Sequence, residues 1–538
     1  MSKLKNYELY EHTPVFNIKE LLSFCAQKHN TNPAFMYQQK KSDLSVDYVQ
    51  FKKDVEALGT YLFKQGFQNC HIAVLGENSY EWILTHFAVT CGKNVIVPID
   101  KDLDTEDISY LLKYSECRAI FYSNTYSDII DDLHSIGHND LKFFNMKSIS
   151  EFIKEGNNLI DNGYSEYVDI KINKDDLASI VYTSGTTGKS KGVMLTHNNF
   201  CSSMYGACCN VLLSGPSILV LPLHHTFGFT ASVLAELFYG YPICINKSLR
   251  NLLDDFKKYK PQHLFAVPLM LETIHRNIWN TAKKSGKDKV LKILIKVSNV
   301  LLKAGIDLRK VLFKSVLSVF GGNLNLIISG GAPIDNKYLK DFTSFGINVL
   351  NGFGITECGP IVAVNRNDLN VHGSVGLPLC CNEVKISNED EILVKGDNVM
   401  IGYYHNEEAS KEVFTEDGWF KTGDIGKIDK YGALHITGRI KNLIILGNGE
   451  NISAESIEQE VYTISYVKEA IAYGENNMIV VEVYLDEEVT NAKDLINDDI
   501  KLINQRLPQI RNIGKIIVRD TEFQKTTTKK IKRNYGVK

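Results

Sequence analysis

Where the strand-like run Leu177–Val181 ends, the chain reads Tyr182-Thr183-Ser184-Gly185-Thr186-Thr187-Gly188-Lys189-Ser190-Lys191-Gly192. Glycines let backbone N–H groups turn toward a bound anion. Hydroxyls donate further hydrogen bonds, and Lys189 and Lys191 supply positive charge. These residue types in this density make a phosphate cradle. It is not a Walker loop, which needs four residues between its glycines, because only Thr186 and Thr187 separate Gly185 from Gly188.

Other strings also carry usable chemistry. In Asn351-Gly352-Phe353-Gly354-Ile355-Thr356-Glu357 an aromatic ring lies between glycines, so a flat face can be offered to a base. Glu357 presents hard carboxylate oxygens suited to a divalent cation, and Thr356 a hydroxyl for a phosphate oxygen. Upstream, Ser329-Gly330-Gly331-Ala332-Pro333 is a second glycine turn. In Lys421-Thr422-Gly423-Asp424 the carboxylate can accept from two vicinal hydroxyls at once. Leu221-Pro222-Leu223-His224-His225-Thr226-Phe227-Gly228-Phe229 places imidazoles beside apolar side chains, and Gly438-Arg439-Ile440-Lys441-Asn442 and Lys525–Arg533 are basic.

In this order the strings resemble the adenylate-forming superfamily, which holds acyl-CoA synthetases, amino-acid-adenylating domains and beetle luciferases. The resemblance implies that Thr183, Ser184, Gly185, Thr186, Thr187, Gly188 and Lys191 hold the β- and γ-phosphates of ATP. It places Gly331, Ala332, Asn351, Gly352 and Phe353 around adenine, with Phe353 where relatives usually carry Tyr. Mg²⁺ falls to Glu357 with Thr183, the α-phosphate to Thr356, the substrate carboxylate to His225, and the ribose to Asp424 and Arg439. Lys441 matches the hinge of a rotating small domain. The last string resembles K-T-x-x-G-K-I-x-R with its register set by Ile531 and Arg533, so Lys530 matches the catalytic lysine and Lys529 replaces a glycine.

Bacterial long-chain fatty acyl-CoA synthetases are the members most similar to the eye, through Lys395–Tyr404 and Ile327–Ala332. The activity implied is fatty-acid activation by ATP to an acyl adenylate, then thioester formation with coenzyme A. Amino-acid-adenylating domains usually place an acid after the His-containing loop. From Pro222 to Ala235 there is no Asp or Glu, while Phe227, Phe229, Val233 and Leu234 are apolar, which suits a fatty acid. No carrier segment follows Lys538, so an assembly-line arrangement is not expected. Two alternatives stay open: an enzyme loading an acyl carrier protein, and a catalytically weak nucleotide- or lipid-binding member.

These residues need a scaffold. At 538 residues the chain exceeds one hydrophobic core. Its 44% apolar and 23% charged content suits a soluble globular protein, and a net charge of −3 gives no reason to expect nucleic-acid binding. Neither a signal peptide nor a membrane-spanning run is evident, the 11 cysteines form no C-x-x-C, and a cytosolic location follows. His71–Gly76 and Asn94–Pro98 read as buried strands around a helix from Ser79 to Cys91 that Ser79 caps. Strand, helix, strand argues for an α/β fold with parallel layers.

The expected division is a large N-terminal domain of stacked α/β layers, 1–437, and a small C-terminal α+β domain on a hinge, 438–538. The resemblance adds a small β-barrel subdomain to the first. In the second, Val467–Ala472 and Met478–Leu485 read as strands and Ser453–Tyr462 as a helix. One stretch stands apart in composition. Between Lys283 and Lys314, ten basic residues against two acidic ones are interleaved with Val, Ile and Leu. That is either a membrane-surface helix or a core-packed helix with a lysine face.

Overall fold

Apolar runs bounded by capping residues become buried strands and helices in the computed structural model of this chain. It describes residues 7–39, 42–138, 140–183, 190–246, 248–446, 451–486, 489, 491–525 and 531–533. Strands form at His71–Leu75 and Val95–Ile99, with a helix, Tyr80–Thr90, between them. Ser79 caps that helix by accepting from the Trp82 N–H. Nearly every residue of the helix is buried, Trp82, Ile83, Phe87 and Val89 among them, as expected of a helix apolar all round.

The chain divides into two compact units. The larger takes Met1–Glu383, Val394–Gly418 and Tyr431–Ala433; the smaller takes Val384–Leu393, Trp419–Lys430 and Leu434–Lys538.

In the larger unit a seven-stranded sheet runs in the order Gly402–Tyr403, Lys191–Thr196, Leu177–Thr183, Val95–Ile99, His71–Leu75, Cys117–Tyr122, Lys142–Asn145. The strands from Leu177–Thr183 to Lys142–Asn145 are parallel. A nine-stranded sheet has a parallel centre of Asn348–Gly354, Leu326–Ser329, His263–Ala266, Ser217–Leu219, Ile243–Ile245 and Pro33–Gln39. Parallel strands are covered on both faces, hence their continuous apolar runs. They also bring the loops at their carboxyl ends to one edge, where α/β sheets bind ligands.

The smaller unit includes the antiparallel pair Phe420–Ile428 and Leu434–Arg439. It also has a three-stranded sheet of Val467–Glu475, Met478–Leu485 and Ile513–Arg519. Asn476 and Asn477, both at positive φ, make the two-residue hairpin turn between the first two. Helix Ala454–Val461, capped by Ser453, and helix Ala492–Asn504 cover this sheet through Ile457, Val461, Ile496 and Ile500.

Candidate functional site

The phosphate-cradle string connects two paired strands. Thr183 and Lys191 face each other across an antiparallel ladder that continues through Tyr182–Gly192 and Val181–Val193. Ser184, Gly185, Thr186, Thr187, Gly188 and Lys189 lie outside the described residues. Lys191 Nζ sits 4.8 Å from the centre of the Tyr403 ring. Tyr403 is fixed by pairing with Val193 and by its N–H bond to Ser410 Oγ at 2.8 Å. Its hydroxyl donates to Glu357 Oε1 at 2.9 Å. Burial, and then the Glu357 carboxylate, push the phenol pKa up, so the group remains a donor at neutral pH. The ring of Tyr403 thus links the Lys191 cation to the Glu357 carboxylate, and Lys191 and Tyr403 line a cavity of about 410 Å³ together with Tyr110, Tyr114 and Ser190.

Glu357 reaches that position through a short turn. Strand Asn348–Gly354 runs into a 3₁₀ turn at Thr356–Cys358. A Cβ at Gly354 would meet the Pro360 carbonyl oxygen at 2.3 Å, so only glycine passes. Ile355 N–H bonds Pro360 O at 2.9 Å and Met400 N–H bonds Glu357 O at 2.8 Å, which holds the turn. Cys358 is fully buried and packs.

Along the strand, Asn351 and Phe353 are buried and Gly352 is half-buried. Phe353 is 8% exposed, so most of its ring is covered. Asn351 Oδ1 is a buried acceptor without a hydrogen-bond partner among the described residues, as is the Ser329 hydroxyl. Ser329 and Asn351 are register partners on neighbouring parallel strands. The turn that follows Ser329 carries Gly331, at φ 85°, and Ala332 to the same edge. Orphaned polar atoms at adjoining strand ends suit a ligand rich in hydrogen-bonding groups, such as a nucleotide.

The His-containing loop follows strand Ser217–Leu219. Asn78, just after strand His71–Leu75, donates to Leu221 O at 2.8 Å and accepts from Leu223 N at 3.1 Å. One side chain therefore ties loops of the two sheets together. Asp100, where strand Val95–Ile99 ends, lies 3.3 Å from His224 Nε2. The His224 and His225 ring centres are 4.2 Å apart. Three atoms that could ligate a metal ion, a carboxylate oxygen of Asp100 and one imidazole nitrogen each of His224 and His225, all lie within 4.8 Å of one another. Burial, and then His225, lower the His224 pKa to about 3 against the pull of Asp100, leaving a neutral imidazole. His225 is half-buried and precedes the helical turn Thr226–Phe229, whose closeness demands Gly228, because a Cβ there would meet Pro222 O at 2.2 Å.

The apolar residues of this loop divide. Phe229 stacks on His86 at 3.7 Å between centres and touches Trp82, Phe87 and Phe200, while Val233 and Leu234 are fully buried. These three are core, and truncating Phe229 to Ala would cost about 3–5 kcal/mol. Phe227 is half-buried and lies 3.2 Å from where a Gly330 Cβ would stand, joining the His loop to the Gly330-Gly331 turn. Glu236, the first acid past this stretch, is fully buried and bonded to His263.

In the smaller unit Asp424 and Arg439 are register partners, with Nε and Oδ1 2.7 Å apart. Asp424 is buried and Arg439 half exposed. Lys441 is exposed in the 3₁₀ turn Ile440–Asn442. Lys530 and Lys529 lie outside the described residues, but the flanks of their string are anchored. Lys525 and Ile531 form a β-bridge, Ile531 packs with Ile471, Tyr484 and Phe523, and Arg533 donates to Glu458 at 2.6 Å.

Asn78, Asp100 and Tyr403 were not singled out as site residues by sequence reasoning. The available signal for the first two was position: polar residues just past buried parallel strands. Tyr403 sits in a string resembling long-chain synthetases, yet nothing local pairs it with Glu357.

Comparison with known proteins shows what this arrangement is similar to. The family profile described as AMP-binding enzyme matches residues 23–404. Long-chain-fatty-acid–CoA ligase FadD15 of Mycobacterium bovis is 26% identical over 498 residues, covering 84% of this chain and 81% of that protein. Long-chain-fatty-acid–CoA ligase 5 of Rattus norvegicus is 29% identical over 475 residues, covering 80% and 69%. Among solved structures, o-succinylbenzoate CoA synthetase of Bacillus subtilis with its acyl-adenylate intermediate superposes with a TM-score of 0.75 at 22% identity, covering 97% of this chain and 98% of that one. A Mycobacterium tuberculosis fatty acyl CoA synthetase gives 0.68 at 21%, covering 96% of each. At these identities the structural likeness shows the fold.

Proposed function

Because the chain belongs to the AMP-binding enzyme family, we propose that it is an ATP-dependent fatty acid:CoA ligase preferring long acyl chains. Attack of the fatty-acid carboxylate on the α-phosphate of ATP makes acyl adenylate and releases pyrophosphate. The thiol of coenzyme A then displaces AMP. A carboxylate alone is a poor acyl donor because its leaving group would be oxide, whereas AMP leaves readily. The first transition state gathers negative charge on phosphoryl oxygens, so the enzyme works by positioning and electrostatics.

The observation that carries this reading is the line Lys191–Tyr403–Glu357 at the base of the phosphate-cradle hairpin. Lys191 offers charge to the phosphates, and Glu357, oriented by the Tyr403 hydroxyl, has its second oxygen for a cation. Glu357 with Thr183 would hold Mg²⁺, which would neutralise phosphate charge. Thr356 serves the α-phosphate, and Ser184 to Gly188 cradle the outer phosphates. Gly331, Ala332, Asn351, Gly352 and Phe353 bound the adenine side, with Asn351 Oδ1 free to accept from an exocyclic amine. His225, backed by neutral His224 and Asp100, meets the acid. Asp424 and Arg439 take the ribose, Lys530 offsets developing charge in the first half-reaction, and Lys441 is the pivot that exchanges it for the thiol-transfer arrangement.

The long-chain preference draws on the names of the relatives and on a His-containing stretch, Pro222 to Ala235, whose sequence holds neither Asp nor Glu. It is tested with ATP, Mg²⁺ and acids from acetate to palmitate, offered with coenzyme A or holo acyl carrier protein, and products identified by mass. Each buried methylene contributes about 0.8 kcal/mol, so lengthening an eight-carbon acid to sixteen adds up to ~6 kcal/mol. Incomplete burial still leaves a rise in kcat/KM well above tenfold. A flat profile, or a preference for aromatic acids, sinks the chain-length reading and leaves adenylation intact. Product only with carrier protein would replace the acceptor.

A further inference from the structure

The basic stretch singled out in the sequence forms helix Asp288–Lys303, and it has two apolar faces. One turns Leu291, Leu294 and Ile295 onto a core that includes Phe313, Phe342 and Phe345. The second faces water. Val290, Ile293, Val297 and Val300 are 52%, 59%, 44% and 67% exposed, and their spacing sets them in one line along the helix. Past the helix end Ile306, Leu308 and Val311 are exposed as well, at 49%, 41% and 72%. Single exposed apolar residues are ordinary, but a contiguous line of them marks an interaction surface.

Exposed Lys289, Lys292, Lys296 and Lys303 form the adjoining strip. Between Lys283 and Lys314 the local excess is ten basic residues over two acidic, in a chain whose net charge is −3. One of the two acids, Asp307, is already held by Arg309 at 2.7 Å. Lysine stems can lie along an apolar surface while their ammonium groups reach outward, so aliphatic line and charged strip act on the same partner.

We propose that this face docks the protein on the surface of an anionic lipid bilayer. Two properties select that occupant. An apolar line flanked by lysines matches the acyl boundary and the headgroup layer of a bilayer at once. A second copy of the chain would present the same positive strip, and like charges would oppose the contact. The inference rests on the exposed face alone and holds whatever chemistry the site performs.

The full chain is sedimented with vesicles of phosphatidylcholine, and with vesicles in which part of the lipid is replaced by phosphatidylglycerol. Binding is expected to the anionic vesicles and to weaken with added salt. Each basic residue near the surface contributes enough that Lys292→Glu with Lys296→Glu lowers partitioning about tenfold or more. Ile293→Ser with Val300→Ser lowers it as well. All four side chains are exposed, so both double variants should unfold at the unaltered temperature and turn over a soluble short-chain acid as before. Absence of vesicle binding, equal binding to neutral vesicles, or variants that bind like the parent overturn the proposal. So does a concentration-dependent dimer that either double variant dissociates, or retention by acidic carrier protein without vesicle binding.

Discussion

Replacing Tyr403 with Phe removes one oxygen from the proposed metal site and little else. The hydroxyl donates to Glu357 Oε1 at 2.9 Å, while the ring keeps its place 4.8 Å from Lys191 Nζ. A hydrogen bond to an ionised group nets about 1.5–3 kcal/mol, and Glu357 is half-buried, so water replaces part of it. About 1 kcal/mol remains, or roughly fivefold. The expected result for Tyr403→Phe is a rise of that size in the Mg²⁺ and ATP concentrations needed for half-maximal pyrophosphate release. Melting temperature should hardly move. Tyr403→Leu also removes the ring beneath Lys191, a further ~0.5–1 kcal/mol. The reasoning is refuted if Tyr403→Phe matches the parent in its Mg²⁺ and ATP dependence while Tyr403→Leu loses stability and rate together, for then Tyr403 only packs.

Other expectations concern the smaller unit and buried histidines. Lys530→Ala should lower adenylate formation roughly 10²–10³-fold and leave transfer from preformed acyl adenylate to coenzyme A nearly intact, with Lys529→Ala much milder; the reverse ranking shifts the register by one. Lys441→Pro fixes φ near about −65° and should retain pyrophosphate release while losing acyl-CoA, and equal loss of both points to misfolding. Burial lowers His86 and His224 to about 3 and His197 to about 4. Below about pH 6.5 the unfolded chain therefore binds protons that the folded chain refuses, and each group removes up to about 1.4 kcal/mol of stability per pH unit down to its folded pKa. Urea unfolding should show stability falling from neutral toward mildly acid pH; a stability that rises on acidification contradicts this.

Local secondary structure was legible in the sequence. Ser79 and Ser453 cap the helices they were expected near, and Met478–Leu485 is a strand as read. The α/β class followed from strand–helix alternation around Ile72–Leu75 and Val95–Pro98. Pairings across the chain were not legible. Tyr403 and Glu357 are 46 residues apart, and Asp100 meets His224 only because two sheets end at one edge. Nor could apolar character separate pocket from core: Phe229, Val233 and Leu234 read as apolar residues suited to a fatty acid, yet Phe229 packs against Trp82 and Val233 and Leu234 are fully buried, while Phe227 reaches the Gly330 turn. The lysine-rich stretch proved both core-packed and exposed, because its helix has two apolar faces, not one.

Asn78 grips Leu221 and Leu223 through both ends of one carboxamide, so the spacing between these two grips is set by the reach of a single side chain. Adding or deleting a residue between Leu221 and Leu223, or in the turn that carries Asn78, would shift His224 and His225 away from Asp100. On the function proposed above, an engineer seeking a new acid specificity should therefore keep loop length and exchange side chains, beginning at Phe227. Grafting a longer loop from another enzyme would require moving its own clamp residue with it.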